Sequence, residues 1–226
     1  MAAPPRAVLF DAYGTLFDVY GISQAAETLF PGRGEKLALL WRDKQLEYTR
    51  LLTMSGRYQP FWDITCAALR YAAQRFELPL DAAGEAHLLA QYRQLPAFLE
   101  CRSVLAELKK RGIPAGILSN GDPAMLRIAV HAARLETMLS PLLSVDAVKR
   151  FKTDPAAYAL GPQALGLAAG EILFVSSNCW DAIGATWYGY TTLWVNRQGA
   201  PLDALDTTPT RSAATLREVL AFFPSP

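Results

Sequence analysis

The chain has 226 residues, of which 51% are hydrophobic, and a formal net charge of +1. This length accommodates either one sizeable hydrophobic core or one core plus a small cap. A nearly balanced charge argues against nucleic acid or an acidic surface as a partner.

The three cysteines, Cys66, Cys101 and Cys179, show no paired spacing. We therefore expect a reducing compartment. The segment before Asp11 is too short for a signal peptide. No apolar run approaches the roughly 18 residues of a membrane helix. These features predict a cytoplasmic protein that does not act at a membrane.

The first predicted element is a buried parallel strand. Four apolar residues, Ala7 to Phe10, are followed by Asp11 and a turn containing Gly14. In open α/β sheets, ligands bind at the carboxyl ends of the strands, so Asp11 is placed for chemistry. Tyr13 stands where a second carboxylate would help to hold a metal or protonate a leaving group, and it can do neither.

Residues 18–97 are predicted to be helical. Long helical patterns run from Gly34 to Met54 and from Phe61 to Phe76, with no convincing strand between them. We expect a helical cap over residues 18–97, inserted after the first strand. Residues 1–17 and 98–226 would then form the core.

After residue 97, strands and helices alternate. This rhythm predicts βαβ crossovers, and hence an α/β fold with a Rossmann-like parallel sheet and helices on both faces. The tail from Ser212 to Phe223 also has helical spacing. The expected strands are Ile113 to Leu118, Leu142 to Val145, Ile172 to Val175 and Thr191 to Val195; the expected helices are Cys101 to Arg111, Pro123 to Leu135, Pro155 to Leu165 and Asp181 to Tyr188.

Polar residues cluster at or near the ends of four predicted strands. Because a parallel sheet brings these ends to one edge, residues far apart in sequence are expected to share a pocket. The clusters are Asp11 with Thr15, Ser119-Asn120-Gly121, Lys152 with Tyr158, and Ser176-Ser177-Asn178 with Asp181.

Together these clusters resemble the motifs of the haloacid dehalogenase superfamily over nearly the whole chain. Its phosphatases usually carry Asp-x-Asp after the first strand, and a further acidic motif, and bind Mg²⁺. This chain has Tyr13 in place of one acid and Ser177 in place of another. Because Mg²⁺ prefers hard oxygen ligands, generally carboxylates, we expect neither a metal nor any other cofactor.

The remaining pattern resembles the L-2-haloacid dehalogenase branch. The matching segments are Asp-Ala-Tyr-Gly-Thr-Leu at 11–16, Trp-Arg at 41–42 with Lys-Gln-Leu-Glu-Tyr at 44–48, Ser-Asn-Gly at 119–121, Val-Ser-Ser-Asn-x-Trp-Asp at 175–181 and Asn-Arg-x-Gly-Ala-Pro-Leu at 196–202. The resemblance implies a small 2-haloacid substrate, a released halide and a homodimer.

The resemblance also implies a role for each site residue. Asp11 would attack the substrate carbon and form an ester. Lys152 would keep Asp11 and Asp181 ionised, and Asp181 would act as general base. Arg42 and Asn178 would receive the halide. Ser119 and the amides at the start of the helix near Pro123 would hold the carboxylate. Supporting roles fall to Thr15, Tyr158 and Ser176, and further substrate contacts to Ala12, Tyr13, Phe61, Asn120 and Trp180.

Simpler interpretations stay open for several of these residues. Arg42 lies in a charged segment and could be solvated. Lys152 follows Lys149 and Arg150, so it could belong to a surface basic run. Asp181 could be the N-cap of its helix. If Asp43 faced the pocket, its charge would weaken binding of an anionic substrate.

Three functions remain in competition. The leading hypothesis is metal-independent dehalogenation of short L-2-haloacids to D-2-hydroxy acids. The second is a phosphatase on the same scaffold. The third is a non-catalytic binding protein of the same fold. The sequence does not decide which halogen is preferred, including whether fluoroacetate is a substrate.

Overall fold

The computed structural model describes residues 4–224 and has a single six-stranded parallel sheet. The strand order is β3-β2-β1-β4-β5-β6, and β1 lies at the centre between β2 and β4. All residues of β1, β2 and β4 are buried, as expected for strands covered on both faces. The strands are β1 (Ala7–Phe10), β2 (Ala115–Ser119), β3 (Leu142–Ser144), β4 (Ile172–Ser176), β5 (Thr191–Val195) and β6 (Arg211–Ala213).

Eight α-helices accompany the sheet in the described part of the chain. The predicted α/β class with a Rossmann-like sheet is confirmed. No helix among residues 4–224 is long and apolar enough to cross a membrane. The helices are α1 (Ile22–Leu29), α2 (Gly34–Met54), α3 (Phe61–Arg75), α4 (Ala82–Arg93), α5 (Cys101–Lys110), α6 (Pro123–Ala132), α7 (Pro155–Leu165) and α8 (Cys179–Tyr188).

The helices α1 to α4 all lie between β1 and α5. The chain enters and leaves this region through two adjacent segments: the Asp18 N–H donates to the Pro96 carbonyl at 2.8 Å, and the Phe98 N–H to the Leu16 carbonyl at 3.0 Å. We infer that residues 18–97 form a cap subdomain. The core would comprise residues 1–17 and 98–226. Residues 1–3 and 225–226 lie outside the described range.

The prediction of helical structure from Ser212 to Phe223 is confirmed only for part of the tail. Ser212 lies in β6, which pairs with β5, and only Leu216–Phe222 is helical, as a 3₁₀ turn. Leu216 and Val219 are buried, as the spacing indicated. The i, i+3 spacing that suggested an α-helix also fits the three-residue repeat of a 3₁₀ helix. Periodicity could not distinguish the two.

Helix α7 is anchored to the sheet by Tyr190. Pro162 lies inside α7 and has no N–H, so the carbonyl of Tyr158 lacks its helical donor. The Tyr190 hydroxyl donates to that carbonyl at 2.6 Å. Gly161 makes the approach possible, because a Cβ at this position would collide with the Tyr190 hydroxyl. A helix that carries a site residue is therefore held against the sheet.

We expect Tyr190→Phe to lower the free energy of unfolding by about 1–3 kcal/mol, since it leaves a buried carbonyl without a donor. Urea denaturation measures this change. Tyr188→Phe is the matched control, because the Tyr188 ring lies 5.6 Å from Tyr190 and its hydroxyl makes no hydrogen bond within residues 4–224. Equal losses in both variants would contradict the assignment.

Candidate active site

Asp11 follows directly after β1 and is only 6% exposed. Its N–H donates to the carbonyl of Val175 in β4 at 2.9 Å, which fixes the backbone. Three donors converge on the carboxylate: the Thr15 hydroxyl at 3.0 Å, the Asn178 amide at 2.9 Å and the Lys152 ammonium at 3.1 Å. The carboxylate is therefore fixed in orientation and compensated in charge.

The ammonium of Lys152 lies between two carboxylates. Its Nζ is 3.1 Å from Asp11 Oδ1 and 3.0 Å from Asp181 Oδ2, and the lysine side chain is completely buried. The neighbouring Lys149 is exposed, so Lys152 does not belong to a surface basic run. Two carboxylates and one ammonium leave this buried group with one excess negative charge when all three are ionised.

Asp181 occupies the first turn of α8 and is fully buried. The helix begins at Cys179 with Asn178 as its N-cap residue, so the interpretation of Asp181 as N-cap was wrong. Burial raises the pKa of the Asp181 carboxyl, and the Lys152 ammonium opposes this shift. The Tyr158 hydroxyl donates to Asp181 Oδ1 at 2.8 Å. Burial also raises the pKa of Tyr158, so its hydroxyl keeps the proton that it donates.

Thr15 and Ser176 hold the turn that follows β4. The Ser177 N–H donates to the Thr15 hydroxyl at 2.8 Å, and the Asn178 N–H donates to the Ser176 hydroxyl at 3.1 Å. Because Thr15 also donates to Asp11, one hydroxyl connects the end of β1 to the end of β4. Residues from two predicted motifs thus lie in one hydrogen-bond network.

The Ser119-Asn120-Gly121 turn connects β2 to the site. Asn120 Oδ1 accepts from the backbone N–H of Lys152 at 2.9 Å, and the Ser119 hydroxyl accepts from the Gly121 N–H at 3.1 Å. Two amides at the start of α6 already have an acceptor within the chain. Asp122 caps that helix and accepts from both Ala124 and Met125.

Arg42 extends from the middle of α2 and is 8% exposed. Its Nη2 lies 3.4 Å from the Tyr13 carbonyl and 3.5 Å from Asn178 Oδ1, both long contacts. No carboxylate of residues 4–224 lies within ion-pair distance of it. The adjacent Asp43 is exposed and does not face the site. Arg42 is thus a buried cation available to an anion.

Aromatic rings cover the site from the cap side. Tyr13 is buried and lies 6.0 Å from the ring of Phe61 and 5.9 Å from that of Tyr92. Burial raises the pKa of Tyr13, which therefore remains neutral. Ala12 is fully buried beside it. Trp180 is half-buried and does not join this stack, although sequence reasoning grouped it with Tyr13 and Phe61.

Two further groups were given no role from the sequence. Tyr92 donates to Gln45 at 3.2 Å, and Gln45 donates to the Thr65 hydroxyl at 2.9 Å, so three cap helices are connected behind Arg42. Arg197 donates to the Thr15 carbonyl at 3.2 Å and pairs with Glu100. Tyr92 lies in a helix with almost no amphipathic pattern, so it has no local signal. Arg197 belongs to the motif segment at 196–202, but its contact with Thr15 spans 182 residues, and the motif does not encode that contact.

A cavity of about 400 Å³ lies next to these residues. Arg42 and Asn178 line it, together with Trp180 and Arg197, whereas Asp11 does not. The carboxylate therefore lies behind Arg42 and Asn178 when viewed from this opening.

Comparison with known proteins agrees with this geometry. The model of the family described as haloacid dehalogenase-like hydrolase matches residues 5–189. An (S)-2-haloacid dehalogenase from Pseudomonas sp. strain YL is 43% identical over 218 residues, covering 96% of this chain and 94% of that protein.

Solved structures show the same likeness. A crystal structure of an L-2-haloacid dehalogenase has a TM-score of 0.95 and 54% identity, covering 97% of this chain and 99% of the other. The Xanthobacter autotrophicus L-2-haloacid dehalogenase with chloropropionic acid covalently bound has a TM-score of 0.89 and 35% identity, covering 98% and 100%. The chain belongs to the haloacid dehalogenase-like hydrolase family, in its L-2-haloacid dehalogenase branch.

We expect Tyr158→Phe to raise the pKa of Asp181 further above its ordinary value of 3.8, because it removes a hydrogen bond to the ionised carboxylate. At any given pH within the titration range, a smaller fraction of Asp181 would then be ionised. Carbon-13 NMR titration of the labelled aspartates measures the shift. Tyr188→Phe should leave the pKa unchanged; a fall or no change in Tyr158→Phe would refute the prediction.

Proposed function

We propose that this protein hydrolyses short L-2-haloacids to D-2-hydroxy acids through an ester on Asp11. The observation that carries the proposal is the buried Asp11 carboxylate, held by three donors, with Lys152 between it and Asp181. Such a group suits a nucleophile followed by a general base. The covalent chloropropionate complex of the Xanthobacter relative supports the same route.

In the first step, a carboxylate oxygen of Asp11 attacks the carbon that bears the halogen. An oxygen–carbon bond forms as the carbon–halogen bond breaks, and the bonding electron pair leaves with the halide. Attack from the side opposite the halogen inverts the carbon once. An L-haloacid therefore gives a D-hydroxy acid.

In the second step, water attacks the ester carbonyl of Asp11, and Asp181 accepts a proton from this water. The bond between the carbonyl carbon and the ester oxygen breaks. That oxygen, which came from Asp11, takes up a proton and leaves as the hydroxyl of the product, while the water oxygen stays on Asp11. Net hydrolysis releases one halide and one proton. Lys152 stabilises the ionised form of Asp181, while burial disfavours it, which leaves a carboxylate with a raised pKa as the base.

Anion binding is assigned to side chains around the carboxylate. Arg42 and Asn178 receive the halide, because Arg42 is buried with no carboxylate partner among residues 4–224 and Asn178 lies between it and Asp11. The Ser119 hydroxyl binds the substrate carboxylate, since its oxygen accepts from Gly121 and its proton remains for donation. Ala12, Tyr13 and Phe61 surround the reacting carbon, with Asn120 behind and Trp180 at the opening.

The reaction is proposed to need no metal. Within residues 4–224, no three His, Cys, Asp or Glu side chains are arranged to hold a metal ion. Asp11 and Asp181 have the Lys152 ammonium between them, and that charge would repel a cation. Tyr13, in place of a second acid, is packed against aromatic rings. This donor set does not fit Mg²⁺.

We further propose a cytoplasmic homodimer. The three cysteines are free thiols, consistent with a reducing compartment. Leu39, Leu51 and Met54 are exposed apolar residues of α2 that a second copy could cover. Small-molecule haloacids and halide are the only other partners proposed.

We expect the wild-type protein to release halide from L-2-chloropropionate but not from its D enantiomer. Asp11→Asn should abolish release, because an amide is a poor nucleophile. Halide electrodes or ion chromatography measure the product. Asp43→Asn is the control and should stay near wild type, since Asp43 is exposed on the cap. Activity in Asp11→Asn would exclude this mechanism.

A single turnover in heavy-oxygen water tests the ester directly. Water attacks Asp11 itself, so mass spectrometry should find the label in the peptide that contains Asp11. Label found only in the product would indicate direct attack of water on the substrate. Neither label nor product would indicate the binding-protein alternative.

Chelation should not change halide release. The rate of halide release with excess chelator should lie within about twofold of the rate without it, because side-chain cations balance the charge of the site. The phosphatase alternative requires the opposite: Mg²⁺-dependent hydrolysis of a generic phosphoester that the chelator abolishes. The same assay run with fluoroacetate determines whether its stronger bond is cleaved.

A further inference from the structure

The cap contacts the core at a second place, away from its two linkers. The core partner is the lysine loop, defined as residues 146–152, which ends at Lys152. The cap partners are Thr53, near the C-terminal end of α2, and Tyr58, in the connection to α3. Thr53 is eleven residues after Arg42, which corresponds to about 16 Å along the helix.

Three hydrogen bonds cross this contact. The Phe151 N–H donates to the Thr53 hydroxyl at 3.1 Å, and Arg150 Nη1 donates to the Thr53 carbonyl at 2.8 Å. The Tyr58 hydroxyl donates to Asp146 Oδ1 at 2.8 Å. Two cap residues therefore bind the backbone and side chains of the lysine loop at three points.

Aromatic packing reinforces these bonds. The Phe151 ring is fully buried and lies 5.1 Å from the Tyr58 ring and 6.2 Å from the Phe61 ring. Lys149 Nζ lies 4.8 Å from the centre of the Tyr58 ring on the outer side. Burial and Asp146 raise the pKa of Tyr58, so its hydroxyl remains a donor. The contact is thus packed as well as hydrogen-bonded.

The residue held by Thr53 immediately precedes Lys152. The backbone N–H of Lys152 donates to Asn120 of the core at 2.9 Å, and its Nζ reaches Asp11 and Asp181. The lysine backbone is therefore fixed on one side by the cap and on the other by the core. Displacement of the cap at Thr53 would displace the ammonium from the two carboxylates.

We propose that Thr53 and Tyr58 are positioning residues that form a latch between cap and lysine loop, so that the Lys152 ion pairs are complete only when the cap is closed. Asp11 is 6% exposed and does not line the cavity beside Arg42, so the cap must move to admit a substrate to it. Because of the latch, the closing of the cap also places the Lys152 ammonium between the two carboxylates. Its kinetic consequences rest on the proposed dehalogenase function.

Thr53→Val removes the hydroxyl acceptor and keeps the shape, whereas Thr53→Ser keeps the hydroxyl. We expect kcat to fall about tenfold in Thr53→Val, because small displacements of charged groups slow the reaction strongly. KM should stay within about twofold, since Arg42 and Ser119 do not contact Thr53. Thr53→Ser should retain wild-type kcat. The control is Thr28→Val, because Thr28 is an exposed cap threonine whose hydroxyl donates to the Gln24 carbonyl of its own helix.

A second readout is independent of activity. Hydrogen exchange of the Phe151 amide, followed by NMR, should accelerate at least about tenfold in Thr53→Val and stay slow in Thr53→Ser. Tyr58→Phe should lower kcat in the same direction, with Tyr71→Phe, an exposed cap tyrosine, as its control. If a thermal melt shows that Thr53→Val is unfolded at the assay temperature, Tyr58→Phe takes its place as the test variant.

The outcomes separate the latch from the proposed function. If the wild-type protein releases no halide, the dehalogenase function is wrong, and the exchange measurement alone decides the contact. Faster exchange of the Phe151 amide in Thr53→Val with an unchanged kcat would show that Thr53 does not position Lys152. Equal kcat in the valine and serine variants, or a loss that also appears in Thr28→Val, would overturn the role of Thr53.

Discussion

The burial of Lys152 between Asp11 and Asp181 is the constraint to which the other parts of the site conform. Taking three charged groups out of water is costly, and the cost is offset only when each has close partners and further hydrogen bonds. Here Thr15 and Asn178 bind Asp11, and Tyr158 binds Asp181. The end of β1, the start of α8 and the lysine loop must therefore lie close enough for hydrogen bonds of about 3 Å between their side chains.

The cap carries the complementary charge. The core group has one excess negative charge, while Arg42 introduces a buried positive charge with no carboxylate partner in the described chain. The buried rings of Tyr13, Phe61 and Tyr92 pack against one another and give this side of the site an apolar lining. Because electrostatic interactions strengthen as the local dielectric falls, this arrangement of charges favours the anionic substrate of the proposed reaction.

Sequence reasoning succeeded where local pattern and structure coincide. The bounds of α2, α7 and β5 match the predictions because strong periodicity, capping residues and β-branched runs act within a few residues. It failed at the tail, where one spacing fits two helix types, and at α8, which begins two residues before Asp181.

The sequence by itself determined the α/β class, the inserted helical region and the family, because runs of apolar residues and short motifs encode them locally. Only the tertiary structure decided that Arg42 is buried while Asp43 is exposed, that Lys152 lies between two carboxylates, and that Thr53 holds the residue before it. These facts join residues that are 29 to 141 positions apart in the chain, or depend on the rotation of a helix about its axis. No local pattern encodes these long-range contacts or the rotation of the helix, since both are set by how the cap packs against the sheet.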